Sequence, residues 1–183
     1  MAAKSDPKQA VIEVLNKARA DELAAIFQYM SQHYALADGD YGQVAAPVKR
    51  VAIDEMRHAE LLAERIYELG GVPVAAPSMA TKKSQSIGEA MDYDVELEEK
   101  AIADYNAFHQ VCVEARDNIS AKLVELIMTE EQEHLNYFQN VDRHIRELGP
   151  AYLAQIAGGV NDVPASAMGF VANKAAGKAT AQP

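Results

Sequence analysis

The chain has 183 residues, a net charge of −10 and one cysteine. That length gives one domain with a real core, or two small ones, and the acidic balance argues against nucleic acid, whose phosphates need basic surface. A lone Cys112 excludes an intrachain disulfide and gives no support to oxidising secretion.

Nearly half of the residues are apolar. Ala, Leu, Glu and Lys are plentiful, while Gly and Pro are sparse before residue 147 outside a few clusters, a composition that favours helices. The stretch MAAKSDPKQAV has no apolar core of a signal peptide. No run approaches the roughly 18 apolar residues of a membrane span. A soluble, cytoplasmic protein is expected.

The first helix is expected from Ser5-Asp6-Pro7, where Asp6 caps and Pro7 fits the first turn. Val11, Leu15, Ala18, Leu23, Ile26 and Tyr29 then recur at helical spacing until DGDYG, residues 38 to 42. A second helix is expected from about Val44 to Leu69, with Pro47 in its first turn and Gly70-Gly71 and Pro73 ending it. Residues 71 to 86 carry two prolines and no helical period, so they read as a long connection. A third helix is expected from about Ser86 to Arg116 and a fourth from about Ser120 to Leu148, stopped by Gly149-Pro150. AYLAQIA is long enough for a short fifth helix. The remainder is rich in small residues and on composition reads as a disordered tail.

The fold expected is all-α: two helical hairpins joined by a long crossover between the second and third helices, the connectivity of a ferritin-like four-helix bundle with a short fifth helix. The domain division expected is 1–157 for the bundle and 158–183 for the tail.

Each hairpin repeats one pattern. Glu22 is followed 33 residues later by Glu55, with His58 three further on; Glu98, Glu131 and His134 repeat those spacings. A shift of 76 superposes the two sets, and also Ala25 on Ala101, Ile26 on Ile102, Tyr29 on Tyr105 and His33 on His109. The halves are an internal repeat. Residues i and i+3 share a helix face, so each Glu-x-x-His pair grips one side of a metal pair, and one Glu from each other helix completes it. Several carboxylates neutralise two cations, and carboxylate with imidazole suits iron or manganese without a thiolate. Four carboxylates buried without cations would each cost several kcal/mol.

Other residues carry less. Tyr29 lies two turns beyond Glu22 on the same face, placed to hydrogen-bond a ligand, to donate an electron, or simply to pack with its hydroxyl satisfied. Asp54 and Glu130 each precede a ligand Glu and read as outer partners or solvated acids. His33, His109 and His144 lack a Glu three residues before them and read as structural or surface residues. Met56 lies roughly 130° around the helix from the direction shared by Glu55 and His58. It cannot join the metal pair, and on physics alone it reads as a thioether in a subunit interface.

RADELAAIFQYM, AIDEMRHAELLAERIYELGG, DVELEEKAIADY and MTEEQEHLNYF resemble bacterioferritin, the haem-containing ferritin of prokaryotes, over about residues 8 to 157. The resemblance implies that Glu22, Glu55 and His58 hold one iron and Glu98, Glu131 and His134 the other, with Glu55 and Glu131 bridging. It implies a haem on a two-fold axis between subunits, ligated by Met56 from each, and a hollow 24-subunit shell storing iron mineral. The activity implied is ferroxidation of Fe²⁺ by O₂ or peroxide, with haem passing electrons inward, from a small redox protein, for iron release. Where relatives carry an iron-binding His on the inner surface, this chain has Arg50, a cation that repels iron. The tail is longer than in most relatives. Alternatives on the same bundle are a rubrerythrin-like peroxidase, a dimanganese catalase, and a haem electron-transfer protein with a vestigial metal site. The absence of any Cys-x-x-Cys pair argues against a rubredoxin-type domain.

Overall fold

A computed structural model describes residues 6–180. The expected start at Ser5, the first residues of MAAKSDPKQAV and the last three of the tail lie outside it. Among the described residues six helices run α1 (Pro7–Asp38), α2 (Gly42–Glu68), α3 (Ile87–Glu114), α4 (Asn118–Leu148), α5 (Pro150–Ile156) and α6 (Phe170–Thr180). The first four have 32, 27, 28 and 31 residues, which gives lengths of roughly 40–48 Å at 1.5 Å per residue. Among the described residues no helix is long and apolar enough to cross a membrane.

Local chemistry sets the ends. The Asp6 carboxylate accepts from the Lys8 N–H. Ser86 and Glu89 form a capping box at α3, each side chain accepting from the other's backbone N–H. Asp117 caps α4 by accepting from Ser120 N–H, and its carboxylate also takes both bonds from the Arg65 Nη2, which ties the end of α2 to the start of α4. Gly149 at φ +52° stops α4 just before Pro150, a left-handed value that suits glycine.

Helix α2 begins at Gly42, two residues earlier than expected, so Pro47 falls in its second turn. The earlier start has a packing reason. A Cβ on Gly42 would lie 1.9 Å from the Gly159 carbonyl oxygen, and Tyr41 pairs with Gly159 in an isolated parallel bridge.

Helices α1 and α2 pack as one hairpin and α3 and α4 as the other, joined by residues 69–86. Their apolar faces form two core clusters, one around Tyr29, Val48, Met91 and Phe138 and one around Leu15, Leu62, Ile127 and Cys112. Cys112 is the buried small hydrophobe expected, its thiol pushed up to about 11 by burial. The polar site lies within the same four-helix bundle.

The composition of the tail suggested disorder, yet its described part is ordered. The Gly158 N–H donates to the Asp40 carbonyl, and Lys49 and Arg50 donate to the carbonyls of Val163 and Met168 at 2.6 and 2.8 Å. The segment therefore climbs along α2 in the direction of that helix and ends in α6, which packs on α2 and α4. Apolar anchors are few but sufficient: Val163 and Gly169 are buried, and the Phe170 ring packs on Tyr137 and His134.

Candidate metal centre

Glu22 on α1, Glu55 and His58 on α2, Glu98 on α3, and Glu131 and His134 on α4 are all buried. Helical period carries them inward, because Glu55 with His58 and Glu131 with His134 occupy adjacent turns of one face. Glu22, Glu55, His58 and Glu131 form one group with ligand atoms within 4.8 Å of one another, and Glu55, Glu98, Glu131 and His134 form a second. Glu55 and Glu131 belong to both.

The shared pair is arranged reciprocally. His58 Nδ1 lies 2.8 Å from Glu55 Oε2 and 3.2 Å from Glu131 Oε1. His134 Nδ1 lies 3.3 Å from Glu55 Oε1 and 3.1 Å from Glu131 Oε2. Each of these two carboxylates thus gives one oxygen to each imidazole, while Glu22 and Glu98 lie at the outer ends, 3.7 and 3.9 Å from His58 and His134.

Burial and charge set the proton distribution. Burial, with Glu131 and Glu55 nearby, raises Glu22 well above the usual carboxylate range, and burial with Glu131 does the same to Glu98. Burial acts to raise Glu131 too, but the charge and hydrogen bonds of His58 and His134 outweigh it and hold it low. Burial opposes charge on both imidazoles, yet the carboxylates around them raise both above their ordinary value. Protons are thus favoured on Glu22, Glu98, His58 and His134, and disfavoured on Glu131. The donor set, four buried carboxylates and two Nδ1 atoms without thiolate, fits two iron or manganese ions.

The other ring nitrogens have their own partners. His134 Nε2 lies 3.3 Å from Asp54 Oδ2, and His58 Nε2 lies 3.1 Å from Glu130 Oε2. The reading of Asp54 and Glu130 as outer partners holds, and it is crossed: the acid on α2 serves the histidine on α4, and the reverse. With Nδ1 facing the carboxylates, the Nε2–H donates outward and fixes each ring.

Tyr29 donates to Glu98 Oε1 at 2.5 Å. Tyr105, its repeat partner, donates to Glu22 Oε1. Burial and the adjacent carboxylates raise both phenols, so both remain donors. Sequence reasoning singled out Tyr29 and passed over Tyr105, although the 76-residue shift pointed to it. His33 is buried against the Ala45 carbonyl and His144 packs on the Tyr152 ring. His109 belongs to neither carboxylate group. Met56 is 45% exposed and belongs to no part of the cluster.

The bundle and its four-carboxylate, two-imidazole centre define a class. The Ferritin-like domain family matches residues 12–148. The chain is 49% identical over 168 residues to the bacterioferritin of Desulfovibrio desulfuricans, covering 92% of this chain and 94% of that protein. It is 34% identical over 153 residues to the bacterioferritin of Streptomyces coelicolor, covering 82% and 90%. The X-ray structure of the Desulfovibrio desulfuricans bacterioferritin, which describes its diiron site in different catalytic states, superposes with a TM-score of 0.86 at 48% identity, over 93% of this chain and 99% of that one. Mycobacterium tuberculosis bacterioferritin superposes at 0.77 with 29% identity, over 86% and 97%. The chain belongs to the bacterioferritin family of ferritin-like proteins.

Proposed function

We propose that this protein is a ferroxidase and iron-storage protein whose oxidation site is the carboxylate–imidazole cluster. The observation that carries the reading is the reciprocal bridging of both imidazoles by Glu55 and Glu131, with Glu22 and Glu98 closing the ends. Such a donor set holds two identical cations side by side. Fe²⁺ is the substrate. Two ions give one electron each to O₂ or peroxide, and the pair of electrons reduces O₂ to peroxide or peroxide to water. Glu22, Glu55 and His58 hold one ion, Glu98, Glu131 and His134 the other, and the same carboxylates retain the ferric product through its higher charge. A cavity lined by Glu22, Tyr29, Glu98 and Tyr105 extends between α1 and α3 to Asp21, Asp104 and Lys100, where Lys100 pairs with both acids.

Storage implies a shell of this chain's own copies, a 24-mer by family. Exposed large apolar side chains such as Phe27, Tyr34, Tyr67 and Leu126 suit subunit contacts. Met56 stands exposed on α2 among the charged Arg57 and Glu60, a position open to a partner. Its thioether would hold a haem shared with a second subunit. Such a haem, when bound, supplies an electron path for reducing stored iron, and a thioether ligand favours its ferrous state. A small redox protein is its reductant in this reading, and the cytoplasm its compartment. An inner-surface iron site beside Arg50 does not fit, because the guanidinium is cationic and already donates to Met168, while Asp54 is fully buried.

His134→Ala tests the site. The variant should assemble as the parent does and lose fast Fe²⁺ oxidation, followed by stopped-flow absorbance. Parent-like kinetics in an assembled variant would overturn the assignment.

A further inference from the structure

The two halves of the metal centre are copies in sequence but not in surroundings. The acid behind His58 is Glu130, whose side chain keeps 17% of its surface exposed. The acid behind His134 is Asp54, whose side chain keeps none. The C-terminal segment packs directly on the acid behind His134.

Three contacts make the closure. The Val171 N–H donates to Asp54 Oδ2 at 3.0 Å, the oxygen that also faces His134 Nε2. A Cβ on Gly169 would lie 1.8 Å from Asp54 Oδ1 and 2.5 Å from its Cγ, so the backbone here runs directly against the carboxylate. The Phe170 ring stands edge-on to His134 with centroids 6.0 Å apart. Arg57 Nη1 completes the set at 3.3 Å from Asp54 Oδ1. Both oxygens of Asp54 are therefore directed, one by the Arg57 guanidinium and one by a backbone amide.

We propose that the Gly169–Val171 corner is a positioning element of the metal centre: through Asp54 it fixes the orientation of His134, and it acts on that half of the centre alone. The inference rests on the ligand assignment proposed above. The physical argument is pre-organisation. An imidazole whose outer N–H is held by a directed carboxylate presents its other nitrogen in one orientation, and loss of such an outer partner weakens metal binding roughly 10–100-fold. Val171 is well suited to a test because it lies in the first turn of α6, where a missing N–H breaks no helical bond.

The experiment is a titration of the metal-free, full-length assembled protein with Co²⁺ alone, read by visible absorption and calorimetry. The parent should take two Co²⁺ per subunit. His58→Ala leaves the His134 half intact, and His134→Ala leaves the other. Val171→Pro, which deletes the N–H, should weaken Co²⁺ binding at least tenfold in the His58→Ala background and leave it unchanged in the His134→Ala background. Val171→Ala, which keeps the N–H, should restore the parent affinity. Gly169→Ala, which forces the backbone off Asp54, should reproduce the one-sided loss by a second route. Equal weakening in both backgrounds, or none in either, would overturn the proposal while leaving the ligand assignment standing. A parent chain that takes no Co²⁺ pair would overturn both.

Discussion

His58 and His134 face each other across the bundle with ring centroids 6.1 Å apart, each directing Nδ1 toward the same two carboxylates. They are 76 residues apart in sequence. Protons raised onto the imidazoles and onto Glu22 and Glu98 offset the charge of the remaining carboxylates.

That arrangement makes the stability of the metal-free protein depend on pH. His58 and His134 are raised above 6.5, and Glu22 and Glu98 above 4.5. A group whose folded value is raised binds protons more tightly when folded, so its contribution is complete below the unfolded value and is lost as pH rises through the folded one. For the carboxyls this loss begins above 4.5, and for the imidazoles above 6.5. The melting temperature of the metal-free protein should therefore fall from pH 6 to pH 9, while the metal-loaded protein should hold nearly constant. Glu131 is lowered and contributes the opposite slope, confined to acid. Thermal melts across that range with and without Co²⁺ provide the check. A flat metal-free profile would show that the four raised groups titrate alike in the folded and unfolded chain.

Tyr29 and Tyr105 hold the two terminal carboxylates, Glu98 and Glu22. Tyr29→Phe and Tyr105→Phe should each slow Fe²⁺ oxidation about tenfold, the effect of losing a hydrogen bond to a charged group of ~1.5 kcal/mol. The two variants should match, because the hydroxyls occupy repeat-related positions. Stopped-flow rates decide, and a much larger loss for Tyr29 alone would point to electron donation from that ring.

Met56 lies on the exposed side of α2, away from the buried Glu55 and His58. Native protein should show a haem Soret band, and Met56→Leu should lose it while keeping Fe²⁺ oxidation. Optical spectra of oxidised and reduced protein measure this directly. A band that survives the substitution would return Met56 to interface packing.

Asp117 caps α4 and anchors Arg65 from α2. Asp117→Ala should destabilise the subunit by about 1–2 kcal/mol, the usual worth of a lost cap. The buried metal centre should be unaffected. Denaturant unfolding of the metal-free protein, compared with Co²⁺ stoichiometry, separates these outcomes.

Much of this molecule was legible before folding. The four long helices follow from apolar residues at a period of 3.6 and from local stop signals such as Gly149-Pro150, and both are read within a few residues. The ligand set was legible for the same reason: Glu-x-x-His places two donors on one face whatever the rest of the chain does, and the shift of 76 showed the second copy. Tyr105 was equally available from that shift and was overlooked.

The tail was a different matter. Its composition is that of a linker, and nothing near Gly169 in sequence points to Asp54, 115 positions earlier. The contact exists because α2 offers Lys49, Arg50 and Asp54 on neighbouring turns, and the segment crosses them in order. The residue types and spacing of the centre were determined by sequence alone, since helical geometry is local. The inequality of its two halves was decided by tertiary structure, because a backbone amide carries no sequence signal until packing brings it to its acceptor.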